Sequence, residues 1–206
     1  MYGMLPIAAS VHLQKTPVAA GRPRRFLPET VLQTALELFW RKGFEATSLD
    51  DLLGAMRLSR SSFYACFGSK QGVFTAAVHA YADECFTTFS AAAEAALDPL
   101  AAVLAVLAAV ADVDGGTRGC FFVNSVTELA PHDVELTAYS QGHIARVAAL
   151  VTDLLVRAGF APQLAQDRAG AALALAMGVI TLRKAGIPAA RIKVLLGQAQ
   201  MLLALP

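Results

Sequence analysis

Charge is scarce in this 206-residue sequence, with Asp, Glu, Lys and Arg making up only 16% of it. At 56% hydrophobic residues, it cannot be a disordered chain, which is poor in apolar residues. Long charge-free runs are missing as well. The longest in the second half are 169–182 and 194–206, 14 and 13 residues, whereas a membrane span needs about 18. Buried core or interface helices explain these runs better than a membrane-associated protein does. The first 21 residues hold a single basic residue, Lys15, in mid-segment. No basic stretch precedes an apolar one, so no signal peptide is expected and residues 1–21 read as a loose arm. Cysteine is rare: Cys66, Cys85 and Cys120 are odd in number and far apart. That spacing excludes a paired metal or redox motif and fits a reduced, cytoplasmic setting. There is no Walker loop, H-E-x-x-H, G-x-S-x-G or G-x-G-x-x-G, so the sequence calls for no enzyme, metal or cofactor.

What is present is alanine and leucine at helical spacing, without sustained two-residue alternation. The expectation is an all-α chain. Charge is divided unevenly. Residues 1–74 hold nine Lys/Arg and five Asp/Glu, net +4; residues 75–206 hold eight and eleven, net −3. A basic N-terminal portion on an acidic body points to a polyanionic partner at one end.

Residues 28–67 read as three short helices. Leu32, Ala35, Leu36 and Phe39 form the apolar face of the first, and Gly43 ends it. Thr47 is the expected N-cap of the second, with Asp50 three residues on, and Leu49, Leu52, Leu53 and Met56 supply its apolar face. Ser59 caps the third after a connection of about three residues, the helix-turn-helix spacing. Ser69 caps a longer helix reaching about Ala95. On the third helix Phe63 and Phe67 are four apart and anchor one side. Arg60, Ser61 and Tyr64 project from the other, with Ser62 at the margin. Arginine bonds guanine bidentately, serine bonds bases or phosphates, and tyrosine suits phosphates. Lys70, Thr47 and Ser48 open neighbouring helices and are candidate phosphate contacts. Taken singly, each is as well explained by capping or solvation; the group within one frame favours a nucleic-acid interface.

"GRPRRF" followed by "VLQTALELFWRKGFEATSLDDLLGAMRLSRSSFYACFGSKQGVF" resembles the DNA-binding domain of TetR-type transcriptional regulators over residues 22–74. The resemblance places Arg60, Ser61 and Ser62 in a recognition helix, and Thr47, Tyr64 and Lys70 at phosphate-holding positions. It implies an operator-DNA partner, a homodimer and a small-molecule effector, most often in a repressor. Two departures stand out. Arg57 occupies a turn position where the family often has glycine, and its guanidinium is a further candidate phosphate contact. Cys66 stands where the family often has an aromatic. Arg22, Arg24 and Arg25 form a basic linker, and Arg25 is a candidate arm contact. The expected organisation is an arm (1–21), a helix-turn-helix domain (22–74) and a helical ligand-binding and dimerisation domain (75–206).

In the last part, helices are expected at about 98–112, 117–130, 133–158, 163–185 and 188–204. Gly170, Ala174 and Gly178 form a small-residue row that admits a close neighbour. Ile192, Leu195, Leu196 and Ala199 form an apolar stripe. TetR-like proteins dimerise through their last two long helices, so both sets are candidate dimer contacts; core packing within the chain is the plainer alternative. "RGCFFVNSVTELAPHDVE" resembles a subgroup with G-C-x-x-x-N on the sixth helix. Cys120 and Asn124 share a face there, as do Tyr139 and His143 further on. With Met177 they are the candidate pocket residues of a mostly apolar site. Cys120 as a sensing thiol, with Arg118 lowering its pKa, is one alternative. A Cys120–His143 catalytic pair is another.

Overall fold

A computed structural model describes residues 28–202. The expected N-terminal arm and Arg22, Arg24 and Arg25 lie outside the described residues. The chain is all-α, with no strand among the described residues. It divides into two compact units, Met1–Glu84 and Cys85–Pro206, and the division falls within one continuous helix.

The first unit holds α1 (Pro28–Lys42), α2 (Leu49–Met56), α3 (Arg60–Phe67) and the start of α4 (Lys70–Glu94). The helical period of α1 buries Val31, Leu32, Ala35, Leu36, Leu38 and Phe39. Gly43 takes φ 83° and returns its N–H to the Phe39 carbonyl at 2.7 Å, ending the helix. Phe39 and Phe44 then close on Phe74 of α4, with ring centroids 5.1 and 4.9 Å away. Eight-residue helices such as α2 and α3 are not stable alone, so this aromatic and aliphatic packing holds them.

The cap of α2 differs from expectation. Ser48, not Thr47, is the N-cap, and the box closes on Asp51, not Asp50. The Ser48 hydroxyl accepts from the Asp51 N–H at 3.0 Å, and the Asp51 carboxylate accepts from the Ser48 N–H at 3.0 Å. Thr47 has no exposed surface, and its hydroxyl donates to the Gly43 carbonyl at 2.6 Å. A threonine in the core leaves capping to the next residue with an exposed oxygen.

The second unit holds the rest of α4 and α5 (Pro99–Ala111), α6 (Phe121–Leu129), α7 (Val134–Arg157), α8 (Pro162–Lys184), α9 (Ala189–Gly197) and α10 (Ala199–Leu202). Asp98 and Asp133 cap α5 and α7 with their carboxylates. α8 packs against α5, α7 and α9. Its buried residues include Ala165, Ala169, Ala172 and Ala176, and such short side chains let neighbouring helices approach closely. Val103, Val106, Leu107, Val151, Leu154 and Leu155 fill the space between.

Two expected helices are interrupted. The segment 117–130 begins as a 3₁₀ turn, Gly116–Arg118, and α6 starts only at Phe121, after Gly119 at φ 75°. The segment 188–204 breaks at Gln198, just after Gly197, into α9 and α10. Among the described residues no single helix is long and apolar enough to cross a membrane.

Candidate nucleic-acid interface and ligand cavity

The third helix is built from both ends. Ser59, in extended conformation, accepts the Ser62 N–H at 3.1 Å. Its hydroxyl also meets those of Ser61 and Ser62 at 3.0 and 2.9 Å. Phe63 is fully buried and packs on Phe67 at 5.7 Å. The Phe67 carbonyl then lies where a Cβ on Gly72 would stand. Only glycine permits that approach of α3 to α4, a requirement that sequence reasoning missed. Its signal was a glycine three residues into a helix whose cap, Ser69, is already in place, its hydroxyl accepting the Gly72 N–H at 2.9 Å.

This scaffold leaves Arg60, Ser61, Tyr64 and Ala65 on the exposed side and Ser62 at its edge. The Arg60 guanidinium donates to Asp50 of α2 at 2.7 Å, an ion pair with both partners largely exposed. Such a pair is worth little and is readily exchanged for a nucleic-acid acceptor. Arg57, in the connection between α2 and α3, is exposed and left-handed, at φ 53° and ψ 41°. The Leu58 N–H bonds the Leu53 carbonyl at 3.1 Å, so the turn keeps its closing bond despite the arginine. Ser48 is exposed at the start of α2.

Two residues expected at phosphates are occupied otherwise. Thr47 is buried, as described. The Lys70 ammonium donates to the Phe44 and Thr47 carbonyls, both at 2.8 Å, and lies over the Phe44 ring at 4.2 Å. It closes the α1–α2 connection onto α4. Arg25 lies outside the described residues.

Asp51 joins the cap to α1. Its other oxygen meets the Lys42 ammonium at 2.9 Å. The Lys42 hydrogen bond, then those from Ser48, hold its carboxyl down to about 2.

The second unit contains an apolar cavity of about 60 Å³. Cys85, Cys120, His143, Leu173, Met177 and Ile180 are among the residues lining it. Of the five expected pocket residues, Cys120, His143 and Met177 come together here. Tyr139 does not line the cavity; its ring stands parallel to that of His143 at 6.4 Å. Asn124 does not line it either. Its amide donates to the Arg118 carbonyl at 3.0 Å and accepts from the Lys184 ammonium at 2.8 Å, tying α6 to α8. The G-C-x-x-x-N spacing put Asn124 on the Cys120 face, but the turn before α6 captures the amide first. Cys66, Cys85 and Cys120 form no disulfide. No group of three or more His, Cys, Asp or Glu suited to a metal occurs among the described residues.

The candidate dimer residues separate into two groups. Gly170, Ala174 and Gly178 are exposed in one row of α8, and a Cβ at either glycine would meet open space. The α9 stripe turns inward instead. Ile192 is fully buried against Ala111 and Val179, and Ala199 lies in the main core. Leu195 and Leu196 are half-buried on the same clusters. Among the described residues of α8, α9 and α10, the exposed large apolar side chains are Leu182, Val194 and Met201. α9 spends its more apolar face on its own chain, because α5 and α8 leave that face to be covered.

Residues 31–77 match the family model of bacterial regulatory proteins of the tetR family. A cysteine-substituted TetR-family regulator, CifR, solved with a 26-bp double-strand operator DNA, is 26% identical. It covers 90% of this chain and all of its own, with a TM-score of 0.71. Residues 31–77 form a TetR-type DNA-binding region. A TetR-family regulator of Streptomyces coelicolor shares the fold, with a TM-score of 0.76 at 20% identity over 84% of this chain and 92% of its own. The transcriptional repressor ComR of Escherichia coli is 36% identical over 54% of this chain. That match spans 55% of ComR's length, so the likeness to this relative concerns about half of each protein.

Proposed function

We propose that this chain is a homodimeric repressor of the TetR type that binds a palindromic operator and releases it when a small molecule enters the cavity of the second unit. The observation that carries the reading is α3: a short helix anchored by buried Phe63, with Arg60, Ser61 and Tyr64 turned outward together. That is the geometry of a helix reading a major groove. The operator-bound CifR relative supports the same reading. Arg57 and Ser48 are the accessible phosphate contacts, whereas Lys70 and Thr47 support the frame that presents them. Two half-sites need two recognition helices, and the exposed row Gly170, Ala174 and Gly178 suits close approach of a second copy. Ligand and DNA then weaken each other reciprocally.

The test is a gel shift on DNA selected from random sequence, repeated across salt concentrations. Arg60→Ala is expected to relax base choice at one operator position and cost about 1–3 kcal/mol. Unchanged sequence preference in that variant would show that α3 does not read bases in this register.

A second reading rests on Cys85 and Cys120 lining the same cavity: the effector is thiol-reactive. Operator release by an electrophile, lost in Cys120→Ser with the adduct mass absent, would support it. Release retained in a Cys85→Ser, Cys120→Ser double variant would exclude it.

A further inference from the structure

We infer that the effector carries a carboxylate and that Arg183 receives it. This rests on the reading of the second unit's cavity as the effector site. Arg183 is only 4% exposed, on the last turn of α8. Its Nη1 donates to Asp112 at 3.0 Å, while its Nε and Nη2 are buried and bond nothing. A buried guanidinium with two donors unmet is costly, and proteins rarely keep one without use. The unmet pair is also a particular pair. Nε–H and Nη2–H point in parallel from one edge of the plane and match the two oxygens of a carboxylate.

Arg183 does not itself line the cavity, but neighbours of both Arg183 and Asp112 do. Ile180 and Val110 line the cavity. Ile180 lies one turn before Arg183 on the same helix, and Val110 two residues before Asp112. Helical side chains lean toward the helix N-terminus, which for Arg183 is the direction of Ile180 and Met177. The apolar cavity otherwise offers few polar groups, so a ligand held there by its body needs one oriented anchor.

Charge favours an anion over a neutral acceptor. Asp112 is 59% exposed, so water screens its countercharge, while Arg183 sits in the low-dielectric interior. Lys184, beside Arg183, spends its ammonium on the neutral amide of Asn124. Gly115 makes room for the arrangement, since a Cβ there would collide with both the Asp112 carboxylate and the Arg183 guanidinium.

The test compares hexanoate with hexan-1-ol, matched in length, by titration calorimetry on the full chain. Hexanoate is expected to bind wild type about tenfold or more tightly than the alcohol, as a charge-assisted bidentate contact requires. Arg183→Gln is expected to erase that preference, and Met177→Trp to weaken both ligands by filling the cavity. Equal affinities in wild type, or a preference that survives Arg183→Gln, overturn this inference. If both ligands bind equally and Met177→Trp weakens both, the cavity reading stands and only the carboxylate falls. If neither binds, or Met177→Trp changes neither affinity, the cavity reading falls with it. Should Arg183→Gln not fold, the wild-type comparison and the Met177→Trp variant decide alone.

Discussion

At the scale of single residues, the first unit shows where local chemistry was overruled and where it was tolerated. Arg57 stands in the left-handed region without being glycine, a conformation that costs a side-chain-bearing residue about 1–2 kcal/mol. Arg57→Gly is therefore expected to raise stability to chemical denaturation by about 0.5–1 kcal/mol after the added freedom of the unfolded chain is discounted. The same variant is expected to bind operator more weakly and with a shallower salt dependence, because the guanidinium is lost. Asp51 gives a pH signature. Its folded value of about 2 lies below its ordinary 3.8, so its contribution to stability is present above pH 4 and disappears as pH falls toward 2. Melting curves of wild type and Asp51→Asn are expected to differ at pH 5 and to converge near pH 2. A constant difference across that range would mean that the carboxylate's ionisation is not what Lys42 and Ser48 stabilise.

At the scale of elements, the helix-turn-helix frame was legible in the sequence, and its internal fastening was not. Ser59, Phe63, Phe67 and Ser69 hold the positions that spacing alone assigned them. The side chains of Thr47 and Lys70 could not be assigned that way, because their partners are carbonyls 23 or more residues distant from Lys70 or the core that encloses Thr47. Periodicity reports which face a residue occupies, and not what lies opposite. Gly72 is the element-scale test. Gly72→Ala is expected to push α3 away from α4, since the obstruction is the Phe67 backbone carbonyl, which cannot swing aside as a side-chain end would. Because α3 carries Arg60, Ser61 and Tyr64, operator affinity is expected to fall by about tenfold or more. Secondary structure measured by circular dichroism should stay near wild type. Unchanged affinity in a folded variant would mean that the α3–α4 contact does not set the presentation of α3.

At the scale of the whole molecule, the second unit distributes its apolar surface between its own core and its outside. The exposed row on α8 continues from Gly178 to Leu182, one turn further on, and Leu182 is 40% exposed. Of the large apolar side chains among the described residues, α9 turns Val194 outward and α10 Met201. If the row is where a second copy docks, a large side chain in its middle breaks the assembly without touching the core. Ala174→Trp is expected to shift the chain from dimer to monomer in sedimentation velocity, with thermal melting of the protomer little changed. It is also expected to reduce operator affinity by more than any single α3 contact, because one recognition helix is lost entirely. A dimer that persists in Ala174→Trp would move the interface elsewhere.

Sequence alone determined the helical class, the three-helix frame of residues 28–67, and which residues of α3 turn outward. Those features depend on contacts three or four residues apart, and local spacing encodes them. Tertiary structure decided everything that depends on a distant partner. It turned Ile192 and Ala199 inward, spent Asn124 on Lys184, and buried Thr47. It also brought Cys85, Cys120, His143 and Met177 from four helices or their caps to one cavity. Arg183 is the clearest case. In sequence it is a basic residue in the last turn of a helix, the ordinary complement to a helix dipole. Only the packing of the 112–119 connection against α8 takes it out of water and leaves two of its donors without an acceptor.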